Sequence, residues 1–377
     1  MPIAPVNGTG TVLHYEDNGP PGASSDYTTL VIIHGVIFHG EIFKRILPYA
    51  TQNNLRIVRL NMRDYPGSSP YTPEEYALMT SKNVEDQRNF VKQLGEEVAN
   101  FLEWFIQTKN ISHIVEGVEG AKATGGIALA TWSMSSYLSL SLLAYADAQA
   151  RPLLERYLRK IILYDPAALP TGVKPAETFV TTPISQAIQS PARRTDITPL
   201  QRAQLFSTYV STYLTPIVDL ENLTPEQVVA RSPVLDDPTK TPTVERISKE
   251  ELESMTDMHV VGRSHDRFRG LVDVFTDNLH RALQLEQYAD ADAILTTAKG
   301  LRDAEVVVIW CDMSMNDCVW AARTIQEKYQ RAIAETSVPI SGEGKRRKVV
   351  LRKYEGANHF AHWDDAERFM RILSSCI

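Results

Sequence analysis

Short runs of apolar residues recur along the chain, and several are rich in β-branched side chains. Runs of this length bounded by turn residues are typical of strands that are covered on both faces of a sheet. A weaker alternation of apolar and polar residues over 9–16 predicts an edge strand. The predicted buried strands lie at 29–33, 55–60, 125–132, 160–164, 305–310 and 348–354.

Amphipathic segments separate these strands. The longest covers 83–106, where the apolar residues follow one face of a helix. Strands that alternate with helices favour a mostly parallel, doubly wound sheet with helices on both faces. The other predicted helices of this part of the pattern lie at 41–50, 137–144, 318–336 and 364–373.

The alternation stops between residues 167 and 300. Helical patterns cover 199–214, 249–258 and 271–288, with Thr198 and Pro199 suited to the start of the first of them. We therefore predict three parts in the chain: a first part of an α/β core over 1–166, a helical cap or lid over 167–300, and the rest of the core over 301–377. The lid is expected over the carboxyl edge of the sheet.

Composition narrows the class of protein. Of 377 residues, 43% are hydrophobic and 23% charged, as in globular proteins, and the 46 acidic residues outnumber the 39 basic ones. A net charge of −7 disfavours binding to nucleic acid or to an anionic membrane. The first residues lack the pattern of a secretory signal, and no stretch is apolar enough to span a bilayer.

Three cysteines, Cys311, Cys318 and Cys376, show neither disulfide-framework nor metal-ligand spacing. We expect a reducing, cytoplasmic location and neither a metal nor an organic cofactor. The oligomeric state stays open, with a homodimer among the options.

One strand ends abruptly in hydroxyl residues, at Thr131-Trp132-Ser133-Met134-Ser135, and a helical pattern follows at once. A tight corner between strand and helix lifts a serine hydroxyl out of the sheet and places it at a helix N-terminus. Ser133 is therefore the candidate nucleophile, although the two glycines of a Gly-x-Ser-x-Gly signature are replaced here by Thr131 and Ser135. The alternative is that Ser133 only caps the helix.

A serine nucleophile needs a base, and His359 follows the last predicted strand within Gly356-Ala357-Asn358-His359-Phe360. A loop after a parallel strand lies at the carboxyl edge of the sheet, to which the Ser133 corner also points. His362 is the competing candidate for the base. The non-catalytic alternative for His359 is a core histidine whose hydrogen bonds are satisfied by its neighbours.

With His34-Gly35 after one strand, the loop 63–69 after the next, the Ser133 corner and the His359 loop, the chain resembles the α/β-hydrolase family with a helical cap. The resemblance covers nearly the whole chain and implies the α/β-hydrolase fold with a serine nucleophile. It also implies that His34 braces its loop. Backbone N–H groups of Met134 and of Val36, or a neighbour of Val36, would form an oxyanion hole.

The resemblance places the acid of the triad in one of two positions. Most members carry it in a Gly-x-x-Asp turn after the seventh strand, where this chain has Ser314, so that Asp312 and Asp317 match only with a shift. Some members, among them zearalenone-lactone hydrolases, take it from the end of the sixth strand, where Asp165 stands. We prefer Asp165 as the acid, with Asp317 and Asp312 as alternatives. The non-catalytic alternative for Asp165 is that it only caps the end of the strand.

The pattern predicts a serine hydrolase that cleaves an ester or lactone of a small to medium apolar substrate through an acyl-enzyme. Candidate substrate-binding residues near the loops are Trp132, Phe38, Tyr65 and His39. Ordinary packing explains the three aromatic residues as well, and His39 could instead lie on the surface. The alternatives are C–C or hydroxynitrile lysis, peptide cleavage or a non-hydrolytic rearrangement on the same residues. A non-catalytic small-molecule binder on this fold is the alternative from another class.

Overall fold

The computed structural model describes residues 2–22, 24–117, 123–145, 151–174, 196–285, 301, 304–335 and 347–377. Eight strands form one sheet in the order β1-β2-β4-β3-β5-β6-β7-β8. The strands β3 to β8 pair in parallel, whereas β2 is antiparallel to both β1 and β4. The strands are β1 (Ile3–Pro5), β2 (Val12–Asp17), β3 (Thr28–Ile33), β4 (Leu55–Leu60), β5 (Ile127–Trp132), β6 (Leu158–Tyr164), β7 (Glu305–Cys311) and β8 (Val349–Tyr354).

The central strands are buried on both faces, which explains their continuous apolar runs. In β3, Val31 and Ile33 pack into the core on one side of the sheet, while Leu30 and Ile32 pack into the core on the other side. In β5, the even and odd positions divide between the same two cores. The mostly parallel, doubly wound architecture predicted from the sequence is confirmed.

The edge of the sheet differs from the prediction. The alternating segment 9–16 forms the shorter strand Val12–Asp17, and the edge position belongs to Ile3–Pro5, which the pattern did not indicate. A strand of three residues that follows Pro2 and ends at Pro5 gives no periodicity to detect. The antiparallel pairing of Ala4 with Leu13 supplies the order that the local sequence lacks.

Helices flank the sheet. Those with α-helical hydrogen bonding are α1 (Pro73–Met79), α2 (Val84–Lys109), α3 (Ser136–Tyr145), α4 (Pro152–Tyr157), α5 (Pro199–Val210), α6 (Pro225–Val229), α7 (Lys249–Glu253), α8 (Val260–Arg263), α9 (Val272–Leu283), α10 (Asn316–Ala334), α11 (Ala361–Asp364) and α12 (Ala366–Cys376). Those of the 3-10 type are Gly40–Tyr49, Thr51–Asn53, Ser133–Ser135, Leu169–Thr171, Pro238–Lys240, Thr243–Arg246 and His265–Leu271. The segment predicted as a short helix over 41–50 is of the 3-10 type and contains Pro48.

The helices α2 and α3 pack closely at Gly95. A Cβ atom at this position would lie 2.7 Å from the carbonyl carbon of Ser141 and 2.8 Å from the backbone nitrogen of Leu142. Any side chain would push α3 away from α2. Because α3 follows directly on the Ser133 corner, this packing also fixes the place of that corner.

We call the described residues 167–174 and 196–285 the β6–β7 segment. In these residues the secondary structure is helical, with isolated bridges only. Helix α5 begins as predicted: the Thr198 side chain accepts from the Gln201 backbone, and Pro199 occupies the first turn. Helix α7 ends at Glu253 rather than near 258, because the chain from Met255 to Asp257 instead hydrogen-bonds with the loop after β3.

Among the described helices, none combines the length and the apolar character that crossing a membrane would need.

Candidate active site

Ser133 lies at the corner between β5 and α3. Its backbone adopts a left-handed conformation, with φ at 58°, which is costly for a residue other than glycine. A 3-10 turn over Ser133–Ser135 then leads into α3. The chain therefore makes the sharp strand-to-helix corner that the sequence predicted, and the residue at its strained point is the candidate nucleophile.

The two hydroxyl residues that replace glycines take part in holding the corner. Ser135 Oγ donates to the carbonyl of Trp132 at 3.0 Å and lies 3.1 Å from that of Ile33, so the corner is tied to the end of β3. Thr131 Oγ1 lies 3.1 Å from Ser139 Oγ in α3. Both side chains are fully buried, and hydrogen bonds to neighbouring elements compensate for burying their hydroxyls.

The loop after β3 runs against this corner. A Cβ at Gly35 would lie 3.0 Å from the Cβ of Ser133 and 3.2 Å from the Trp132 ring, so a side chain at this position would crowd the corner. His34 Nε2 accepts from the Met62 backbone at 3.1 Å, and its Nδ1 lies 2.8 Å from the Gly35 carbonyl. Burial lowers the pKa of His34 to about 3, so the ring is neutral and braces two loops.

His359 and Asp165 are brought together from positions 194 residues apart. Nδ1 of His359 lies 2.5 Å from Oδ2 of Asp165, and both side chains are buried. A carboxylate on Nδ1 fixes that nitrogen as the protonated one and leaves Nε2 with a lone pair. The imidazole can therefore accept a proton at Nε2.

Asp165 has two further donors. The Cys311 backbone donates to Oδ1 at 2.9 Å, and Ser314 Oγ donates to Oδ2 at 2.5 Å. Ser314 stands at the position where the resemblance noted in the sequence would place the acid, and its contact with Asp165 was not expected from the sequence. The contact could have been predicted from the position of Ser314 in the sequence. Ser314 follows β7 and Asp165 follows β6, and residues that follow neighbouring parallel strands lie close together.

The two alternative acids lie elsewhere. Asp312 Oδ1 accepts from the Gly356 backbone at 2.7 Å and its Oδ2 lies 3.3 Å from Lys353 Nζ, so it supports the start of the loop that carries His359. Asp317 lies in the first turn of α10 and lines the cavity next to Ser133. Of the three carboxylates, the one in hydrogen-bond contact with His359 is Asp165.

The carbonyl of His359 is held from two sides. Trp132 Nε1 donates to it at 3.0 Å, and Tyr164 Oη lies 3.2 Å from it. His362, the competing base, is buried in the aromatic core, where its Nδ1 lies 3.1 Å from Tyr164 Oη and burial keeps its pKa well below the ordinary value. Trp132, predicted near the substrate, therefore supports the loop of His359.

Two backbone N–H groups flank Ser133. Val36 and Met134 line the same cavity as Ser133, and neither backbone N–H has a hydrogen-bond partner among the described residues. The neighbouring N–H of Ile37 is occupied, since it donates to Tyr65 Oη at 2.9 Å. Val36 and Met134 thus remain free to donate to an oxygen atom bound beside Ser133.

The cavity next to Ser133 has a volume of about 500 Å³, which suits a small to medium organic molecule. Its described walls come mainly from the β6–β7 segment and are largely apolar, as at Leu169, Phe206 and Val261. Five charged residues also line it, which the sequence did not indicate: Lys174, Arg202, Asp266, Arg269 and Asp317.

None of the four predicted substrate-binding residues is among the described residues that line this cavity. Trp132, Phe38 and Tyr65 are each at most 2% exposed and belong to the packed interior, and His39 is half-buried outside the cavity. Aromatic residues beside the site were favoured because they follow functional loops. Their burial within the two cores gives them packing partners instead.

The Ser133 hydroxyl makes no hydrogen bond to any residue of the described part of the chain, so nothing ties it to His359 in this structure. Bonds between nucleophile and base are often long without substrate. Asp165, Cys318 and His359 place potential metal ligands within 4.8 Å of one another, but Asp165 and His359 already share a hydrogen bond. Burial raises the pKa of the Cys318 thiol, which opposes the thiolate that a metal would need.

No protein-family model matches the chain, and no sequence match was found among curated proteins. Solved structures do match over nearly their whole length. A bromoperoxidase from Bacillus anthracis is 11% identical, with 99% of this chain and 97% of that chain covered and a TM-score of 0.51. Cfl2 from Burkholderia cenocepacia is 12% identical, with 99% and 94% covered and a TM-score of 0.54.

The esterase EaEST from Exiguobacterium antarcticum is 12% identical, with 98% of this chain and 97% of that chain covered and a TM-score of 0.51. At such identities the likeness concerns the fold alone, and the chain has the α/β-hydrolase fold. The finer resemblance to zearalenone-lactone hydrolases is not supported by these matches and stays a prediction.

Proposed function

We propose that this protein is a serine hydrolase that cleaves an ester or lactone through an acyl-enzyme, without a metal or organic cofactor. The observation that carries the proposal is the strained backbone of Ser133, at a corner that opens onto the cavity beside two N–H groups without a hydrogen-bond partner among the described residues. Residues in such conformations persist where the surrounding structure imposes them, and they concentrate at functional sites.

In the proposed reaction, Nε2 of His359 takes the hydroxyl proton of Ser133 as Oγ attacks the carbonyl carbon of the ester. Asp165 accepts the Nδ1–H bond at 2.5 Å and offsets the charge of the imidazolium that forms. The imidazolium then gives its proton to the departing alkoxide. Water repeats the sequence on the acyl-enzyme and regenerates Ser133.

The developing oxyanion would accept from the backbone N–H groups of Val36 and Met134. Loss of one such donor typically lowers kcat on the order of a hundredfold or more. Gly35 supports this arrangement because it lets the Val36 loop approach the Ser133 corner without a clash. The hydrogen bond from Ile37 to Tyr65 holds the same loop in place.

The proposed substrate is a small to medium, mainly apolar molecule. The cavity volume and its apolar walls support this class, and the charged residues among the lining allow the substrate to carry a polar group as well. A lid role for the β6–β7 segment belongs to the same proposal, since this segment supplies most of the described walls.

A fluorophosphonate probe tests the proposal directly. We expect it to label Ser133, as mapped by mass spectrometry, and we expect turnover of p-nitrophenyl butyrate that Ser133→Ala abolishes. The control is Ser254→Ala, which removes an exposed serine hydroxyl bonded within α7 and its C-terminal turn and leaves both readouts unchanged. Folding of each variant is checked by circular dichroism.

Three outcomes would contradict the proposal. Labelling at a residue other than Ser133 would rule out Ser133 as the nucleophile. Absence of ester turnover together with cleavage of a C–C or cyanohydrin bond would favour a lyase. Tight binding of a small molecule with no turnover, unchanged in Ser133→Ala, would favour a non-catalytic binder.

A further inference from the structure

Tyr65 and His265 connect the core to the β6–β7 segment across 200 residues. Tyr65 Oη lies 3.1 Å from Nε2 of His265, and the same oxygen accepts from the Ile37 backbone N–H at 2.9 Å. Tyr65 is 2% exposed, so water does not compete freely for its hydroxyl group. The three groups form one continuous hydrogen-bond chain.

The direction of the chain follows from the donors and acceptors available. A phenol has one proton to donate, and a buried hydroxyl without an acceptor is costly. Among the residues that the structure describes, His265 Nε2 is the only acceptor within reach of Tyr65 Oη. The hydroxyl therefore donates to Nε2, so this nitrogen carries the lone pair and Nδ1 carries the proton of the neutral ring.

His265 is one of the described residues that line the cavity with Ser133, and its Nδ1 has no hydrogen-bond partner in the described parts of the chain. Burial lowers the pKa of His265 to about 3, so the ring is neutral at physiological pH and cannot serve as an acid. What the ring offers the cavity is one fixed N–H donor.

We propose that His265 is a specificity-determining residue, whose Nδ1–H binds an uncharged acceptor oxygen of the substrate outside the carbonyl group that is cleaved. A ketone, ether or second ester oxygen has the required chemistry. The inference rests on the proposed hydrolase function and specifies its substrate class. Tyr65 is the positioning residue, because its hydroxyl fixes the tautomer of His265.

The physical reason for discrimination is the unpaired N–H group. A substrate that lacks the acceptor leaves this group desolvated and without a partner once the cavity is filled, whereas a substrate that carries it pairs the group. Sites built around a hydrogen bond reject analogues that lack it far better than apolar pockets reject analogues of different size.

The tautomer can be measured without any substrate. In protein labelled with ¹⁵N-histidine, the His265 signals are assigned from the spectrum of His265→Phe. We expect a neutral ring with the proton on Nδ1 at pH 7, and a mixture of tautomers in Tyr65→Phe. A proton on Nε2 in the unaltered protein would overturn the inference.

Recognition is tested with two ester series of matched length. One compares p-nitrophenyl heptanoate with its 4-, 5- and 6-oxo derivatives, and the other compares heptyl butyrate with the 4-, 5- and 6-oxoheptyl butyrates. We expect at least one oxo ester to exceed its parent in kcat/KM by about tenfold or more. In His265→Phe this ratio should fall to within about twofold of unity.

The variant His265→Asn is the matched comparison, because its amide nitrogen lies close to the position of Nδ1. It should keep more of the oxo preference than His265→Phe. An equal ratio in the unaltered protein and in His265→Phe, or no preferred oxo ester in either series, would overturn the inference. Absence of turnover of every ester, parents included, would instead overturn the hydrolase function and the substrate class with it, while the ¹⁵N spectra still decide the tautomer.

Discussion

Three residues other than glycine hold left-handed backbone at the site: Ser133 with φ at 58°, Asp165 with φ at 43° and Ile37 with φ at 74°. Such conformations cost about 1–3 kcal/mol each. Two of them end parallel strands of the sheet and turn a side chain out of the strand direction. Hydrogen bonds to each residue or its neighbours hold them, among them those of Ser135 to the corner and of Cys311 to Asp165.

The strain at Ser133 can be measured by replacing the residue. Glycine adopts φ above zero without a steric cost, whereas alanine keeps the Cβ atom. We expect Ser133→Gly to have a free energy of unfolding about 1 kcal/mol higher than Ser133→Ala, although both lose the hydroxyl. Urea denaturation of the two variants measures the difference, and equal midpoints would show that the corner is not strained.

Replacement of Asp165 by Asn distinguishes among the three candidate acids. In Asp165→Asn the amide cannot accept from all of its present donors, and the preferred tautomer of His359 is lost. We expect kcat for p-nitrophenyl butyrate to fall by roughly 10⁴, the size seen for the equivalent change in the serine protease template. Thermal unfolding monitors the accompanying loss of stability.

Asp312→Asn is the comparison for this measurement, since Asp312 supports the loop of His359 without touching the ring. Its kcat should fall by far less than that of Asp165→Asn. A greater loss in Asp312→Asn or Asp317→Asn would move the acid to that residue.

At the level of elements, one arginine joins the loop after β4 to two helices. Arg63 bonds Glu75 of α1 at 2.8 Å and Glu97 of α2 at 2.6 Å, and all three side chains are buried. The guanidinium also donates to the carbonyls of Ser69 and Pro70. The loop predicted to lie beside the site is thus fixed by a buried charged cluster.

This cluster predicts a pH dependence of stability. Burial raises the pKa of Glu97 from its ordinary value of 4.5 to about 7, with Glu75 adding to the effect. Between these two values folded Glu97 holds a proton that the unfolded chain has lost. The contribution of Glu97 to stability therefore falls as pH rises through this window and is constant outside it. The loss is roughly 3 kcal/mol.

The free energy of unfolding of the unaltered protein and of Glu97→Gln should be compared by urea denaturation at intervals from pH 4 to 8. The advantage of the unaltered protein over the variant should shrink as pH rises from about 4.5 to 7. The control is Glu96→Gln, a half-buried neighbour in α2 that lies near Lys92. The same slope in the unaltered protein and Glu97→Gln would contradict the prediction.

At the level of the whole molecule, the β6–β7 segment is fastened to the loops that carry the site. The backbone of His39 donates to Met255, and that of Asp257 donates to Ile37. Arg263 Nε lies 2.8 Å from Oδ1 of Asp64 in the loop after β4. The same contacts therefore hold in place both the segment that forms most of the described cavity walls and the loop of the candidate oxyanion hole.

We expect Arg263→Ala to destabilise the fold by about 1–3 kcal/mol, because it leaves the buried carboxylate of Asp64 without its cation. The partial exposure of Arg263 keeps the loss below that of a fully buried pair. Arg88→Ala is the matched control, since Arg88 also joins the core to this segment, through Asp277, but the carboxylate of this pair is far more exposed than that of Asp64. A loss in Arg88→Ala as large as in Arg263→Ala, in urea denaturation, would contradict the prediction.

Several features followed from the sequence because they depend on neighbours along the chain. Continuous apolar runs predicted the parallel strands, and a hydroxyl-rich break after one run predicted the corner at Ser133. The start of α5 was equally local, since a cap and a proline suffice for it. The short edge strand Ile3–Pro5 was missed because its order comes from its partner strand.

The remaining features depend on residues far apart in the sequence. The resemblance favoured Asp165, but only packing brings its carboxylate, and not that of Asp312, into contact with His359. Packing also adds the bond from Ser314 to that carboxylate and places Trp132 against the loop of His359. The contact of Tyr65 with His265 also crosses the boundary between core and segment. Local sequence patterns determine whether a stretch forms a strand, a helix or a turn. Contacts between residues this far apart in the sequence form only when the sheet and the β6–β7 segment pack together.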